Sequence, residues 1–218
     1  MRRVLPTCLF ALTLLSACGG SSDVPFKEDT ALQDRLRSAA RGYDRTSGLA
    51  KTSVDRMPTT GSASFAGAAA MGVYRGRPVG DPDYLVVGDA ALTADFARGR
   101  LTGTVDNMAG VAPLGGTGFR VPVSGTVRIG GNRSAIGDDP RTNATEDANQ
   151  FSADFAATMT VDGEPLRANG PVTGGFVGNR VRTSALPATK GLVGAGAGAG
   201  TLDGKPAIIG LEFYADVK

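Results

Sequence analysis

The stretch from Tyr84 to Met108, which contains two runs of alternating apolar and polar residues, constrains the fold of this chain more than any other sequence feature. Two runs place an apolar residue or glycine at every second position: Leu92, Ala94 and Phe96, then Leu101, Gly103 and Val105. A period of two residues is that of a β-strand with one buried and one solvated face. Gly99 separates the runs and tolerates the positive φ of a tight turn. The stretch therefore predicts an antiparallel hairpin, which needs further strands because a lone hairpin is not stable.

The same alternation recurs on both sides of this hairpin. Four strong runs begin at Phe65, Val121, Phe151 and Ala207. Weaker strand candidates extend from Pro171 to Gly178 and from Gly191 to Gly200. Eight strands with one apolar face each match the number at which a closed sheet is filled by its own side chains. We therefore predict an all-β fold, an eight-stranded antiparallel barrel over residues 58–218. A sandwich of short strands is the alternative, because its strands would alternate in the same way.

Composition fits this fold class and narrows the function. The 218 residues include 32 Gly and 12 Pro, which suit many turns, and the length suits one β-domain with additional segments. The 23 Lys and Arg residues nearly balance the 21 Asp and Glu residues, which excludes a basic nucleic-acid-binding protein. Histidine is absent, so the commonest general base and the commonest ligand for zinc, copper and iron are missing.

The motifs of the chain carry no catalytic or metal-binding chemistry. The acidic pairs Asp138-Asp139 and Glu146-Asp147 lack the spacing of a calcium-binding EF-hand, so we expect a solvated acidic loop. Residues 194–200 alternate Gly with Ala and lack the Lys-Ser/Thr of a phosphate-binding loop. Their bare face suits either the close approach of another backbone or a flexible loop. Without histidine, a serine nucleophile lacks its usual base. The sequence therefore predicts a protein that is not an enzyme, with no metal site and no cofactor.

The N-terminus predicts export and lipid anchoring. Residues 1–17 have the basic start and apolar run of a secretory signal peptide. They lead into Leu15-Ser16-Ala17-Cys18, which resembles the lipobox of bacterial lipoproteins. In that motif the cysteine becomes the lipid-modified first residue, so Cys18 is the predicted lipidation site, with palmitate among its acyl chains. The alternative is an ordinary signal peptide in which Cys18 is incidental. Gly19 follows the cysteine, and by resemblance to lipoproteins this residue favours export to the outer membrane.

Residues 18–57 are predicted to form a flexible tether that includes one short helix. From Lys27 to Arg41 acidic residues precede basic ones, which complements a helix dipole. Leu32 and Leu36 form only a thin apolar stripe, so both a docked helix and a partly disordered one remain open. Residues 42–60 are rich in Ser, Thr, Gly and Arg and are predicted to be a further connector.

The segment from Asp106 to Arg120 is the predicted contact site. We expect it to connect two strands, and it carries more apolar residues than a connector needs. The candidate ligand-binding residues are Met108, Val111, Leu114 and Phe119. An apolar patch on an exposed loop is typical of a protein contact, and the barrel interior is expected to be filled by side chains. The alternative is that the same residues fold over one barrel end as a plug.

Several glycine-aromatic patterns give the chain a family resemblance. They are the segment from Gly61 to Gly67, the hairpin from Gly88 to Asp106, Gly-Gly-Phe176-Val-Gly178, and a terminal strand that reaches Lys218. Together with the lipobox, these patterns over residues 58–218 resemble the transferrin-binding protein B barrel family. The resemblance implies an eight-stranded barrel on a lipid-anchored outer-membrane protein. Members of that family bind host iron carriers, haem proteins or complement regulators. This chain has one barrel and lacks a comparable handle domain, so neither transferrin binding nor any ligand residue is carried over.

These observations lead to one leading functional prediction and one alternative. The leading prediction is a lipid-anchored lipoprotein on the cell surface that binds a protein or small ligand through the loops at one barrel end. Its expected partners are the membrane, through the anchor, and that ligand, but not nucleic acid. The alternative is a structural or envelope accessory lipoprotein whose barrel docks on an outer-membrane protein.

Overall fold

A closed barrel of antiparallel strands with one helix on its outer wall makes up the computed structural model. The structure describes residues 30–76, 80–114, 117–138, 147–179 and 189–218, so the predicted signal peptide and Cys18 lie outside the described residues. The helical elements are α1 (Thr30–Ser47) and a 3-10 turn (Val54–Arg56). The strands are β1 (Ser62–Arg75), β2 (Tyr84–Asp95), β3 (Arg100–Leu114), β4 (Thr117–Val121), β5 (Val123–Ile136), β6 (Gln150–Val161), β7 (Glu164–Asn179), β8 (Thr189–Leu202) and β9 (Lys205–Val217).

The pairing of the strands closes the sheet. From β5 to β9 each strand pairs with the next, β9 pairs with β1, and β1 pairs with β2. The ring closes because β3 pairs with β2 on one side and with β5 on the other. The short β4 pairs only with the C-terminal end of β3. Eight strands therefore form the barrel, which confirms the predicted fold and rules out the sandwich.

The hairpin predicted from the alternation is present as β2 and β3. Its last pair before the turn is Asp95 with Arg100, and Gly99 in the turn has a φ of 59°. The apolar positions of both strands point into the barrel core, where Leu92, Leu101 and Val105 are buried. The predicted buried and solvated faces of this hairpin are therefore assigned correctly.

Five of the six phenylalanines buried in the barrel core form one cluster of rings. They are Phe65, Phe96, Phe151, Phe176 and Phe213, with neighbouring ring centroids 5.6 to 6.2 Å apart. Aromatic pairs at this spacing add to the free energy gained by burying their area. The weak strand candidate from Gly191 to Gly200 lies within β8, where a β-carbon on Gly194 would overlap the ring of Phe213. At Gly196 and Gly200 a β-carbon would instead overlap the backbone of β7, so the bare face serves both a core ring and the close approach of another backbone.

The segment from Asp106 to Arg120 is not the connector that the sequence predicted. β3 continues to Leu114, and β4 returns alongside it. The prediction failed because the alternation changes phase: Asn107 has a φ of 46°, and the β2–β3 register shifts by one residue opposite Gly88. After this bulge, Met108 and Ala112 contact the core. The connector predicted after Gly130 is also shorter, since β5 runs to Ile136.

Helix α1 is longer than predicted and is docked on the barrel. It starts at Thr30 and extends through part of the predicted connector to Ser47. Its residues Leu32 and Ala39 are buried against Val87 and Val111, which lie on the outer wall. The docked alternative for this helix is therefore the one observed. Within the described residues, no helix has both the length and the apolar composition needed to cross a membrane.

Candidate functional site

One end of the barrel is closed by a strap, which we define as residues 50–57. The Thr52 amide donates to the carbonyl of Phe176 at 2.9 Å, and its hydroxyl donates to the carbonyl of Gly178 at 2.8 Å. The side-chain amide of Asn149 donates to the Thr52 carbonyl at 2.6 Å. Met57 is buried in the core cluster. This end, the strap end, is therefore sealed by main-chain and side-chain hydrogen bonds and by the buried side chain of Met57.

The opposite end is narrowed by an ion pair that joins strands well apart in the sheet. Arg75 at the end of β1 donates to Glu164 at the start of β7 at 2.7 Å and to the hydroxyl of Tyr84 at 3.0 Å. The hydrogen bond to Glu164 is the main cause of the raised pKa of Arg75. The guanidinium also lies 5.6 Å from the centre of the buried Tyr84 ring. Together with the filled core, these contacts leave the ends and the outer wall as the surfaces for a ligand.

At this second end the β3–β4 hairpin projects past its neighbours. The pairing of β2 with β3 stops at Leu85 and Val111, whereas β3 and β4 stay paired to Leu114 and Thr117. Within the described part of the chain, the projecting part therefore has no neighbouring strand on the β2 side. Phe119 of β4 is 59% exposed, and the described residues include one other exposed large apolar side chain, Val54 in the strap. We call this end the hairpin end.

The four candidate residues do not share one surface. Met108 is partly buried and packs on the barrel core, whereas Val111 is buried on the outer wall beneath α1. Leu114 lies in β3 and pairs with Thr117, but its side chain is outside the described part of the structure. Phe119 alone among the described side chains of this set is exposed. Of the described side chains in this set, Phe119 is thus the one available at the surface, at the projecting end of the hairpin.

A polar cluster that the sequence analysis missed fixes the root of this hairpin. Asp89 of β2 accepts from Arg35 of α1 at 2.8 Å and from the side-chain amide of Asn107 at 2.6 Å. Arg35 also donates to the Asn107 carbonyl. The left-handed residue of the bulge is therefore tied to both β2 and the helix. Arg35, Asp89 and Asn107 are distant in sequence and form no recognisable motif. Their contact could therefore not be predicted from the sequence.

The rest of the described surface offers little chemistry. No three His, Cys, Asp or Glu side chains among the described residues lie close enough to hold a metal ion. A shallow groove of about 300 Å³ crosses β5, β6 and β7 on the outer wall. Its lining includes Ser124, Thr158 and Arg167, which combines hydroxyls with one cation and contains no acid–base pair.

Comparison with known proteins gives similarity in fold at low sequence identity. No family model matches the chain, and no curated protein matches its sequence. A double mutant of the vaccine antigen transferrin binding protein B from Haemophilus parasuis matches 77% of this chain at 17% identity and a TM-score of 0.41. The protein HpuA from Kingella denitrificans, solved in complex with human haemoglobin, matches 78% at 15% identity and a TM-score of 0.32. The chain spans 27% and 49% of the lengths of these proteins. The structural neighbours are those that the sequence resemblance predicts.

Proposed function

We propose that this chain is a non-enzymatic surface lipoprotein that captures a protein partner through the end of its β3–β4 hairpin. The observation that carries the proposal is the exposure of Phe119, 59% of whose surface is open to solvent on a strand that projects past the barrel. The lipid anchor at Cys18 and the location on the outer-membrane surface belong to the same proposal and rest on the lipobox.

The filled interior and the closed end of the barrel favour a protein partner over a small ligand. The phenylalanine cluster lies in the interior, and the strap closes the end of the barrel next to Phe176. An eight-stranded barrel has room for its own side chains or one small ligand, and here the side chains take that room. A partner must therefore be met on the outside, where shallow surfaces suit another protein better than a small molecule.

The hairpin combines a fixed root with an exposed tip. At the root, Asp89 holds Arg35 and Asn107, so the direction of the hairpin is set by the barrel and α1. Towards the tip, Phe119 presents an aromatic side chain of the kind enriched at the centres of protein interfaces. A rigid base lowers the entropy that is lost when a contact forms. An isolated exposed apolar residue is common on protein surfaces, so position 119 has to be tested directly.

Site-specific photo-crosslinking on intact cells tests the contact. The photoreactive residue p-benzoylphenylalanine replaces Phe119 in one variant and the other exposed apolar residue, Val54, in a matched control at the strap end. We expect a discrete crosslinked protein from position 119 and none from position 54. Crosslinking from position 54 alone, or the same products from both positions, would contradict the assignment to the hairpin.

The identity of the crosslinked protein separates the two functional predictions. A soluble protein added from outside supports capture of an external partner. An integral outer-membrane protein of the same cell supports the alternative, an accessory lipoprotein that docks on a neighbour. Mass spectrometry of the crosslinked band distinguishes these outcomes without a prior choice of partner.

The anchor has its own test. We expect Cys18→Ser to abolish lipidation and to release the protein from the membrane fraction, because acyl chains provide membrane affinity that the polar mature chain lacks. Metabolic labelling with a palmitate analogue and fractionation after a salt wash measure both effects, with Cys8→Ser as the control. A Cys18→Ser variant that stays with washed membranes would overturn the lipoprotein assignment.

A further inference from the structure

The side chain of Glu212 is buried on the outer wall of the barrel, outside the apolar core. It lies on the polar face of β9, as the alternation predicts, yet its side chain is only 3% exposed. Its strand neighbours are Ala70 on β1 and Ala195 on β8, which are too short to reach its carboxyl group. Helix α1 packs over this part of the wall, where Gly42 lies against Tyr214. The helix thus contributes to the burial of a group that would otherwise face water.

The buried carboxyl group is not compensated. Its Oε2 atom has no hydrogen-bond partner among the described residues. Several titratable groups lie on this part of the wall or act on its tyrosines through their charge. They are Tyr43 and Asp44 of α1, Tyr74 of β1, Tyr214 and Asp216 of β9, and Asp81. Arg45 of α1, the cation whose charge acts on Tyr214, is already paired with Asp216 at 2.5 Å. An ionised Glu212 would therefore meet phenols and other acids, and no free cation among these groups.

The protonation state of Glu212 should consequently depend on whether the helix is docked. Burial raises the pKa of Glu212 to about 7 in the docked structure. A carboxyl group in water titrates near 4.3, so release of the helix would return the pKa towards that value. At a pH between these two pKa values, Glu212 is protonated in the docked state and ionised in the released state.

We propose that Glu212 is a proton-dependent latch, whose neutral form holds helix α1 on the barrel wall and whose ionised form favours release of the helix. Because the docked state binds the extra proton, docking is strongest below about pH 4.5 and weakens as the pH rises towards 7. Above that pH the weakening reaches a plateau. Release would lengthen the connection between the N-terminus and the barrel and would uncover Val87 and Val111. This inference does not depend on the hairpin being a binding site.

The helix remains held by other contacts, so release need only become more frequent. Leu32 and Ala39 stay packed on the wall, and Arg35 and Arg45 form ion pairs at its two ends. Each unit of difference in pKa changes the opening equilibrium tenfold. From pH 5 to pH 8 we expect the opening constant of the helix to rise by about 50- to 100-fold, for a difference of roughly two and a half units.

Hydrogen–deuterium exchange from pH 5 to pH 8, corrected for the intrinsic rate at each pH, measures that constant. In the wild-type chain we expect protection of the α1 amides to fall over this range while the β6 amides stay protected. Glu212→Gln, which imitates the neutral form, should keep the helix protected throughout. Glu164→Gln makes the same chemical change at the hairpin end and should behave like the wild type.

Three results would overturn the proposal. The first is protection of α1 that does not change with pH in the wild type. The second is the same pH dependence in Glu212→Gln. The third is a parallel loss of protection in β6, because global destabilisation would then replace local release. Failure of this latch would leave the crosslinking result at position 119 unaffected.

Discussion

The backbone of helix α1 at Gly42 lies so close to Tyr214 of β9 that any β-carbon at position 42 would overlap the tyrosine hydroxyl. Glycine is unfavourable in a helix interior by about 1 kcal/mol relative to alanine. Its presence is explained by the contact, since the missing side chain lets the helix rest on the phenol. Burial is also the main cause of the raised pKa of Tyr214.

Because of this contact, it is informative whether Gly42→Ala stabilises or destabilises the docked helix. In a free helix alanine would be stabilising, whereas in the docked helix it must displace the Tyr214 ring. We expect Gly42→Ala to weaken docking by about 1–3 kcal/mol, measured as lost amide protection in α1 with the barrel unchanged. Ser38→Ala, on the exposed side of the same helix, is the control and should not reduce protection. Increased protection in Gly42→Ala would show that the helix does not rest on Tyr214.

The strap makes a separate prediction about stability. Thr52 is fully buried, and its hydroxyl donates to the Gly178 carbonyl. Thr52→Val keeps the shape of the side chain and removes that donor, so it should lower the free energy of unfolding by about 1–3 kcal/mol. Urea titration measures the change, with the exposed Thr59→Val as a control expected within about 0.5 kcal/mol of the wild type. Equal stability of the two variants would mean that the hydrogen bond contributes nothing to closing the barrel.

The barrel could be predicted because the pattern that identifies each strand lies within the sequence of that strand. Alternation along single strands gives the buried face, and the run from Phe151 to Val161 keeps that alternation without a break. At the bulge the same rule misleads, since one residue with positive φ, Asn107, reverses the phase and hides the rest of β3. The identity of one residue does not reveal a left-handed backbone conformation. The sequence therefore predicts a connector where the β3–β4 hairpin is found.

The candidate site was harder to predict because its determinants are distant in sequence. Arg35 and Asp89 are 54 positions apart, and neither belongs to a recognisable motif. The apolar residues of the hairpin were identified, but their distribution over three environments follows from the docked helix and the bulge. Val111 in particular is covered by α1, which the thin stripe of Leu32 and Leu36 left undecided.

The assignment of strand faces predicts contrasting costs at two adjacent positions of β6. Phe155 is buried in the core, so Phe155→Ala should lower the free energy of unfolding by about 3–5 kcal/mol. Asp154 points outward and forms an exposed ion pair with Arg133 at 3.1 Å, so Asp154→Ala should change it by less than about 1 kcal/mol. Chemical denaturation of both variants gives the comparison. A larger loss in Asp154→Ala would mean that the two faces are reversed.

The last prediction concerns the glycine face of β8. Gly194 lies directly opposite Phe213 in the β8–β9 register, and the atoms nearest to a β-carbon at position 194 all belong to the phenylalanine ring. Gly194→Ala should therefore overpack the core and lower the free energy of unfolding by about 1–3 kcal/mol.

A double-mutant cycle separates this packing effect from a loss of backbone flexibility. Phe213→Leu alone removes ring contacts and should be destabilising, but it also frees the space above Gly194. If the ring is the obstacle, Gly194→Ala should be less harmful in the Phe213→Leu background, with a coupling energy of about 0.5–3 kcal/mol by urea titration. Additive effects would show that glycine is needed at position 194 for its backbone and not to accommodate the phenylalanine.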